Sequence, residues 1–332
     1  MSQPAAFRNN WRLGDRPELG AMNTANSLIR AIDIAATDNL PNLSGGRTFL
    51  IGSDFSGQHS TSQFEAYGFT FSCLEECGEW LAAQKSFRTK YLPDGRRISY
   101  KSLRDRRRAS VMPHFFSAAD LIPGLLVVIL VDRRVGSLFK PDSNVTSKDP
   151  EVQLLANWRA AVIEKVLRVC HFAAFFLAGL SREMQDVLWV TDEDEIIPNE
   201  SKHYEFGEAF ARISSHYLTH TVRHVRVATT SSDTGKRDLE DYVAISDLAA
   251  GGICEILNSY RRESMDPVSD LVVPVPNSSN DKAMNIMKWF AQDGALLKRL
   301  VISFESVPES TRLKVRHYCF HNMPHNFGLT KQ

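Results

Sequence analysis

The 332-residue sequence has no Cys-x-x-Cys pair; its five cysteines, Cys73, Cys77, Cys170, Cys254 and Cys319, are odd in number and scattered. That pattern excludes a paired disulfide framework and suits free thiols in a reducing compartment. Net charge is also missing: 39 Lys and Arg balance 39 Asp and Glu. No global field draws the chain to nucleic acid or anionic lipid, so any basic contact surface must be local. A long apolar run is absent too. The most apolar stretch, from Val169 to Leu180, is broken by His171 and is too short to span a bilayer. The opening residues MSQPAAFRNNWRLGDRPELG carry charges and prolines where a signal peptide needs an apolar core, so the expectation is a cytoplasmic protein with no membrane association. Neither an internal repeat nor a long low-complexity tract is present.

What the chain does have is core material, 43% hydrophobic and 10% aromatic. An amphipathic segment near residues 17–37 precedes "TFLIGSDFSG", a strand that ends on Asp54, and "SQFEAYGFTFSCLEE" alternates as a second, antiparallel strand. Residues 75–90 have helical spacing, "LPDGRRISYKSL" reads as a hairpin, and "RDRRRASVMPHFF" reads as a basic helix. The run "GLLVVILVDRR" is apolar without alternation, as in a strand covered on both faces, and it ends on Asp132. Then come a long helix over about 151–184, the strand "VLWVTDEDE", a helix over 204–220, a strand over 222–229 and the helix "LEDYVAISDLAAGGICEILNSYRR". A helix over 280–297 and a strand pair through "LKRLVISFES" and "TRLKVRHYCF" follow. Strands alternating with helices mean an α/β sheet, and sites in such sheets form where strand ends meet helix starts. Asp54 and Asp192 occupy such ends. Asp247 shares a helix with Ala250 and Gly251, small residues expected to let that helix approach the sheet closely.

The order of "GSDFSG", "SYKSL", "LLVVILVDRR", "VLWVTDEDE" and "YVAISDLAAGGI" resembles the domain-of-unknown-function 3800 family of bacterial proteins, over about residues 48–256. The resemblance implies a ribonuclease-H-like mixed α/β sheet flanked by helices, spanning residues 47–262, with an N-terminal helical extension (1–46) and a C-terminal helix and strand-pair appendage (263–332). It also implies a metal site of Asp54, Asp192 and Asp247, with Glu193 and Asp194 in reserve. Asp194 is the alternative ligand if the strand runs two residues longer, because strand side chains alternate. Oxygen-only ligands suit Mg²⁺ or Mn²⁺, and the implied chemistry is two-metal hydrolysis of RNA or DNA phosphodiesters in a bacterial defence or mobile-element system. One position departs from the family: Phe55 stands where its members carry Glu. The alternative reading is therefore a non-catalytic, nuclease-like subunit that binds nucleic acid or a protein partner in a larger complex.

Local basic candidates for a nucleic-acid backbone are Lys101 and Arg104, Arg106, Arg107 and Arg108, with Arg96 and Arg97 upstream. A solvated helix face accounts equally well for the arginine run. Asp132 reads as a strand-end residue beside the site. His317, Cys319 and His321, with His325 nearby, share a strand face but lack the second ligand pair of a zinc site. Phe172, Phe175 and Phe176 read as core of the long helix.

Overall fold

A computed structural model describes residues 10–36, 39–139, 155, 158–193, 196–197, 199–233, 235–264, 280–307, 309–310 and 312–320. The strands are β1 (Thr48–Ser56), β2 (Phe64–Cys73), β3 (Gly124–Asp132), β4 (Asp186–Thr191), β5 (Val225–Thr229), β6 (Leu297–Ser306) and β7 (Leu313–His317). The helices are α1 (Ala21–Ala35), α2 (Gly78–Tyr91), α3 (Arg106–Ala119), α4 (Ala160–Leu180), α5 (Glu200–Tyr217), α6 (Asp238–Arg262) and α7 (Asp281–Phe290). All seven strands form one mixed sheet in the order β5-β4-β1-β2-β3-β6-β7. β1, β2 and β3 run antiparallel to their neighbours in turn, β4 and β5 add in parallel beside β1, and β6 adds in parallel beside β3.

The alternation of side chains along each strand decides which layer it serves. Phe49 and Ile51 of β1 face a layer built from α1, α4 and α5, whereas Leu50 faces α2, α3, α6 and α7. β3 lies in the middle with every residue buried, which is why its sequence shows no alternation. The expected Phe172, Phe175 and Phe176 are wholly buried on α4. Four of the five cysteines are buried and Cys319 is half-buried, and none of the five is in a disulfide.

Several expectations need correction. The segment "LPDGRRISYKSL" makes no hairpin: a turn leads to a 3₁₀ helix at Lys101–Arg104. Pro93 and Gly95, read as a hairpin turn, instead lie in the bend that ends α2, with Gly95 at φ +67°. The long helix begins later than expected, at Ala160, and α7 ends at Phe290, so that Leu297 opens a strand. Residues 263–332, read as an appendage, supply α7 to one helical layer and β6 and β7 to the common sheet.

α6 lies directly on the sheet because β1 and β2 offer glycine beneath it. A Cβ on Gly68 would come within 2.3 Å of the Ser246 carbonyl, and one on Gly52 within 2.6 Å of the Tyr242 ring. Hydroxyls fill the remaining gap: Ser246 Oγ donates to the Gly52 carbonyl (3.0 Å) and meets Thr70 Oγ1 (2.9 Å), while Tyr242 and Ser72 share a 2.7 Å bond. Buried hydroxyls are satisfied this way without losing close contact. Tyr242, Ser246 and Ala250 of α6 thus touch the sheet. Gly251, expected there, lies under the Tyr100 ring instead, and Gly252 lies against Ile286 of α7.

Candidate functional site

Asp54 lies two residues before the end of β1, which runs on to Ser56 rather than ending on the acid as expected; it stands opposite Gly68 of β2, and by alternation with Leu50 and Gly52 it belongs to the α6 side of the sheet. Its Oδ1 accepts the Phe55 amide at 2.6 Å. Beyond Ser56 the chain turns at Gly57, whose φ of +84° and 2.3 Å Cβ approach to the Phe64 carbonyl admit only glycine. Phe55 points to the opposite face, stacking near Tyr67 and Phe69 with the Lys165 ammonium 5.3 Å from its ring centre. The family's Glu at this position would enter that second face.

Asp192 follows the last residue of β4. Its Oδ1 accepts the Thr230 hydroxyl at 2.6 Å and the Glu193 amide at 3.0 Å, and Arg97 reaches it at 3.5 Å. Asp247 projects from α6 toward the 3₁₀ segment, where the Tyr100 amide donates to its Oδ2 at 2.5 Å. Burial lifts the Asp247 carboxyl from its usual 3.8 to about 6, and the negative charge of Asp192 adds to the rise against the opposing pull of the Tyr100 amide and Lys282. Asp192 and Asp247 are therefore within electrostatic reach of each other although 55 residues separate them (247 − 192). Glu193 accepts the Thr229 hydroxyl at 3.3 Å, and Asp194 lies outside the described residues.

Beside Asp247 opens a cleft of about 490 Å³, bordered by Tyr100, Lys101, Arg104, Glu255, Arg262 and Lys282. Lys282 stands 3.7 Å from the Tyr100 ring centre, Tyr100 donates its hydroxyl to Glu255, and Asn280 donates to the same carboxylate. The structure thus brings Lys101 and Arg104 to the acid. It does not bring Arg107 or Arg108: Arg107 pairs with Asp94 at 3.5 Å, while Arg108 donates its amide to Asp105 and pairs with the same carboxylate. Arg106 opens α3, exposed and away from the cleft lining. Arg97, upstream of the basic run, reaches Asp192 and also pairs with Glu240. Lys282 and Arg262 gave no signal, because a single lysine at a helix start and one arginine at a helix end look like ordinary capping charges.

Asp132 is not part of this group. It is buried, salt-bridged to Arg134 at 2.7 Å and Arg261 at 2.8 Å, and these partners hold its carboxyl down at about 2 against the cost of burial. Cys319 and His317 sit 3.6 Å apart, and His321 and His325 lie outside the described residues.

Carboxylates alone suit Mg²⁺ or Mn²⁺ by donor type, and a divalent cation would offset the burial, and the smaller repulsion from Asp192, that raise the Asp247 carboxyl to about 6. In number the fit is short: among the described residues, no three His, Cys, Asp or Glu side chains stand close enough together to hold a metal ion. No helix of the described residues is long and apolar enough to cross a membrane. No protein-family model matches the chain, and no curated protein or solved structure is significantly similar to it.

Proposed function

We propose that this chain is a ribonuclease-H-like domain that binds nucleic acid and hydrolyses its phosphodiesters with the help of Mg²⁺ or Mn²⁺. The strand order supports the fold: an antiparallel β1-β2-β3 followed by β4 and β5 in parallel beside β1, with the acidic residues at the β1 and β4 ends and on the helix packed over them. The observation that carries the function is Asp247, a half-buried carboxyl raised to about 6 beside Asp192 in a cleft rimmed by Lys101 and Arg104. Perturbed acids in clefts mark functional sites. The residues that would hold such a metal are Asp54, Asp192 and Asp247, which would have to draw closer together than they stand in the structure; the metal would then supply an activated water and charge at the leaving oxygen. The chain's own residues do the positioning. Lys101 and Arg104 attract the phosphate, the Tyr100 amide fixes the Asp247 carboxyl, and Thr230 with Arg97 fixes that of Asp192.

One observation favours the second reading, a binding subunit without chemistry: Asp192 is engaged by Arg97 and Thr230, and the described acids do not gather in threes. A panel of labelled single- and double-stranded RNA and DNA, incubated with Mg²⁺ or Mn²⁺, separates the two. Cleavage by wild type that is lost in Asp54→Asn and Asp247→Asn is the result expected of the hydrolase. Tight binding with no cleavage establishes the binding subunit, and cleavage untouched by either substitution removes this site from consideration. Phe55→Glu is not expected to restore or increase cleavage, since that side chain lies on the far face of the sheet.

A further inference from the structure

We propose that the face of α6 from Asp247 to Arg262 is the floor of a groove for one nucleic-acid strand, with Lys101, Arg104, Lys282 and Arg262 contacting its backbone phosphates. This rests on the nucleic-acid reading above and extends it to residues outside the span of the family resemblance.

Asp247, Gly251, Glu255, Asn258 and Arg262 recur three or four residues apart, so they line one face of the helix, and all of them border the same cleft. From Asp247 to Arg262 is 15 residues (262 − 247), or about 22 Å of helix at about 1.5 Å per residue. That length matches the lower end of single-strand sites, about four nucleotides. The cations reach this face from three elements distant in sequence: Lys101 and Arg104 from the 3₁₀ segment, Arg262 from α6 and Lys282 from α7. Among the described residues, no carboxylate forms an ion pair with Lys101, Arg104 or Arg262, whereas neighbouring Arg96, Arg97, Arg107 and Arg108 all have one. In a chain of zero net charge, unneutralised cations along a cleft make a local positive field.

The acids of the groove do not cancel that field. Glu255 is held by the Tyr100 hydroxyl, by Asn280 and by Lys282 at 3.8 Å, and Asp247 stands at one end, where the reacting phosphate belongs. Four cations converging on one cleft from the 3₁₀ segment, α6 and α7 match one backbone rather than two, and phosphate contacts carry no sequence information. The occupant is therefore a single strand of any sequence.

The test is binding without chemistry: fluorescence anisotropy with labelled single-stranded eight-nucleotide and two-nucleotide oligomers, in chelator, over a series of salt concentrations. Each of Lys101→Ala, Arg104→Ala, Arg262→Ala and Lys282→Ala is expected to flatten the plot of log K against log salt by about 0.7. Lys282→Arg should retain the wild-type slope, and Arg107→Ala should not change it. Arg262→Ala should weaken the eight-mer and spare the dinucleotide when the latter is seated at Asp247. Equal slopes for Arg262→Ala and Arg107→Ala would overturn the groove, as would a duplex binding more tightly than the single strand at the same salt concentration. Competition by polyglutamate as effective as by oligonucleotide would also overturn it. Since cleavage is not read, loss of hydrolysis leaves this groove standing, and loss of binding with cleavage intact removes the groove alone.

Discussion

Asp247, half-buried at the cleft, and Asp132, buried throughout, are two acids with opposite behaviour, and the difference lies in their partners. Asp247 faces another acid and accepts one backbone amide, so burial wins and the carboxyl rises to about 6. Asp132 faces two guanidiniums, which outweigh burial and hold it at about 2. The consequences for stability have opposite signs. For Asp247 the unfolded chain releases its proton near 3.8 while the folded chain keeps it up to about 6, so stability is lost as pH rises through that window. Asp247→Asn is therefore expected to be more stable than wild type above pH 6, by roughly 1 to 3 kcal/mol, and to show no gain below pH 4. Urea unfolding at both pH values checks this. Asp192→Asn removes the like charge and should lower the Asp247 titration midpoint, readable by carboxyl carbon NMR. For Asp132 the stabilisation is present above 3.8 and fades as pH falls toward 2. Asp132→Asn should cost roughly 2 kcal/mol at neutral pH and little at pH 2.

At the scale of elements, the contact of α6 with β1 and β2 depends on two glycines whose hydrogens face the helix backbone and a tyrosine ring. Gly68→Ala would place a methyl carbon 2.3 Å from the Ser246 carbonyl, a backbone atom that cannot swing away, so α6 must lift. The expected cost is about 1 to 3 kcal/mol, with loss of the Ser246 bonds, measured by urea unfolding. Gly251→Ala meets only the Tyr100 side chain. It should cost less stability, but by displacing Tyr100 it should disturb the amide bond to Asp247 and raise that carboxyl further. Equal effects of the two substitutions on stability and on the Asp247 titration would contradict this division of roles.

At the scale of the molecule, β3 is a central strand only because β6 pairs with its outer edge. A chain ending at Arg262 would expose the apolar edge from Leu125 to Val131, uncover the α3 and α6 surface that α7 buries, and leave an unpaired hydrophobic strand open to association. Such a truncation is expected to aggregate or to lose cooperative unfolding, seen by size-exclusion chromatography and by the unfolding curve. A monomeric, cooperatively folding 1–262 fragment would mean that the C-terminal strands are dispensable after all. The same truncation removes Lys282 from the cleft, so the part of the chain beyond the family resemblance serves both the fold and the site.

Local patterns were enough for the sequence to determine most of the kinds of element, the segment before Lys101 excepted, and the face that most strand residues take. The unbroken apolar run of β3, the strand that carries Asp54, the basic start of α3 and the apolar face of α4 all follow from the two side-chain periods, 2 and 3.6, which need no knowledge of neighbours, although that strand runs on to Ser56. Asp54, Asp192 and Asp247 could be named as candidates for the same reason, each at a boundary that periodicity reveals. Pairing between distant segments has no such period. Only the tertiary structure decided that β6 joins β3 and that Gly251 meets Tyr100 rather than the sheet. It also decided that Arg97 reaches Asp192 across 95 residues, and that Lys282 and Arg262 border the cleft while Arg107 and Arg108 turn to local acids. A charge's partner is set by packing, because its energy depends on separation through space and on screening by solvent and is indifferent to distance along the chain.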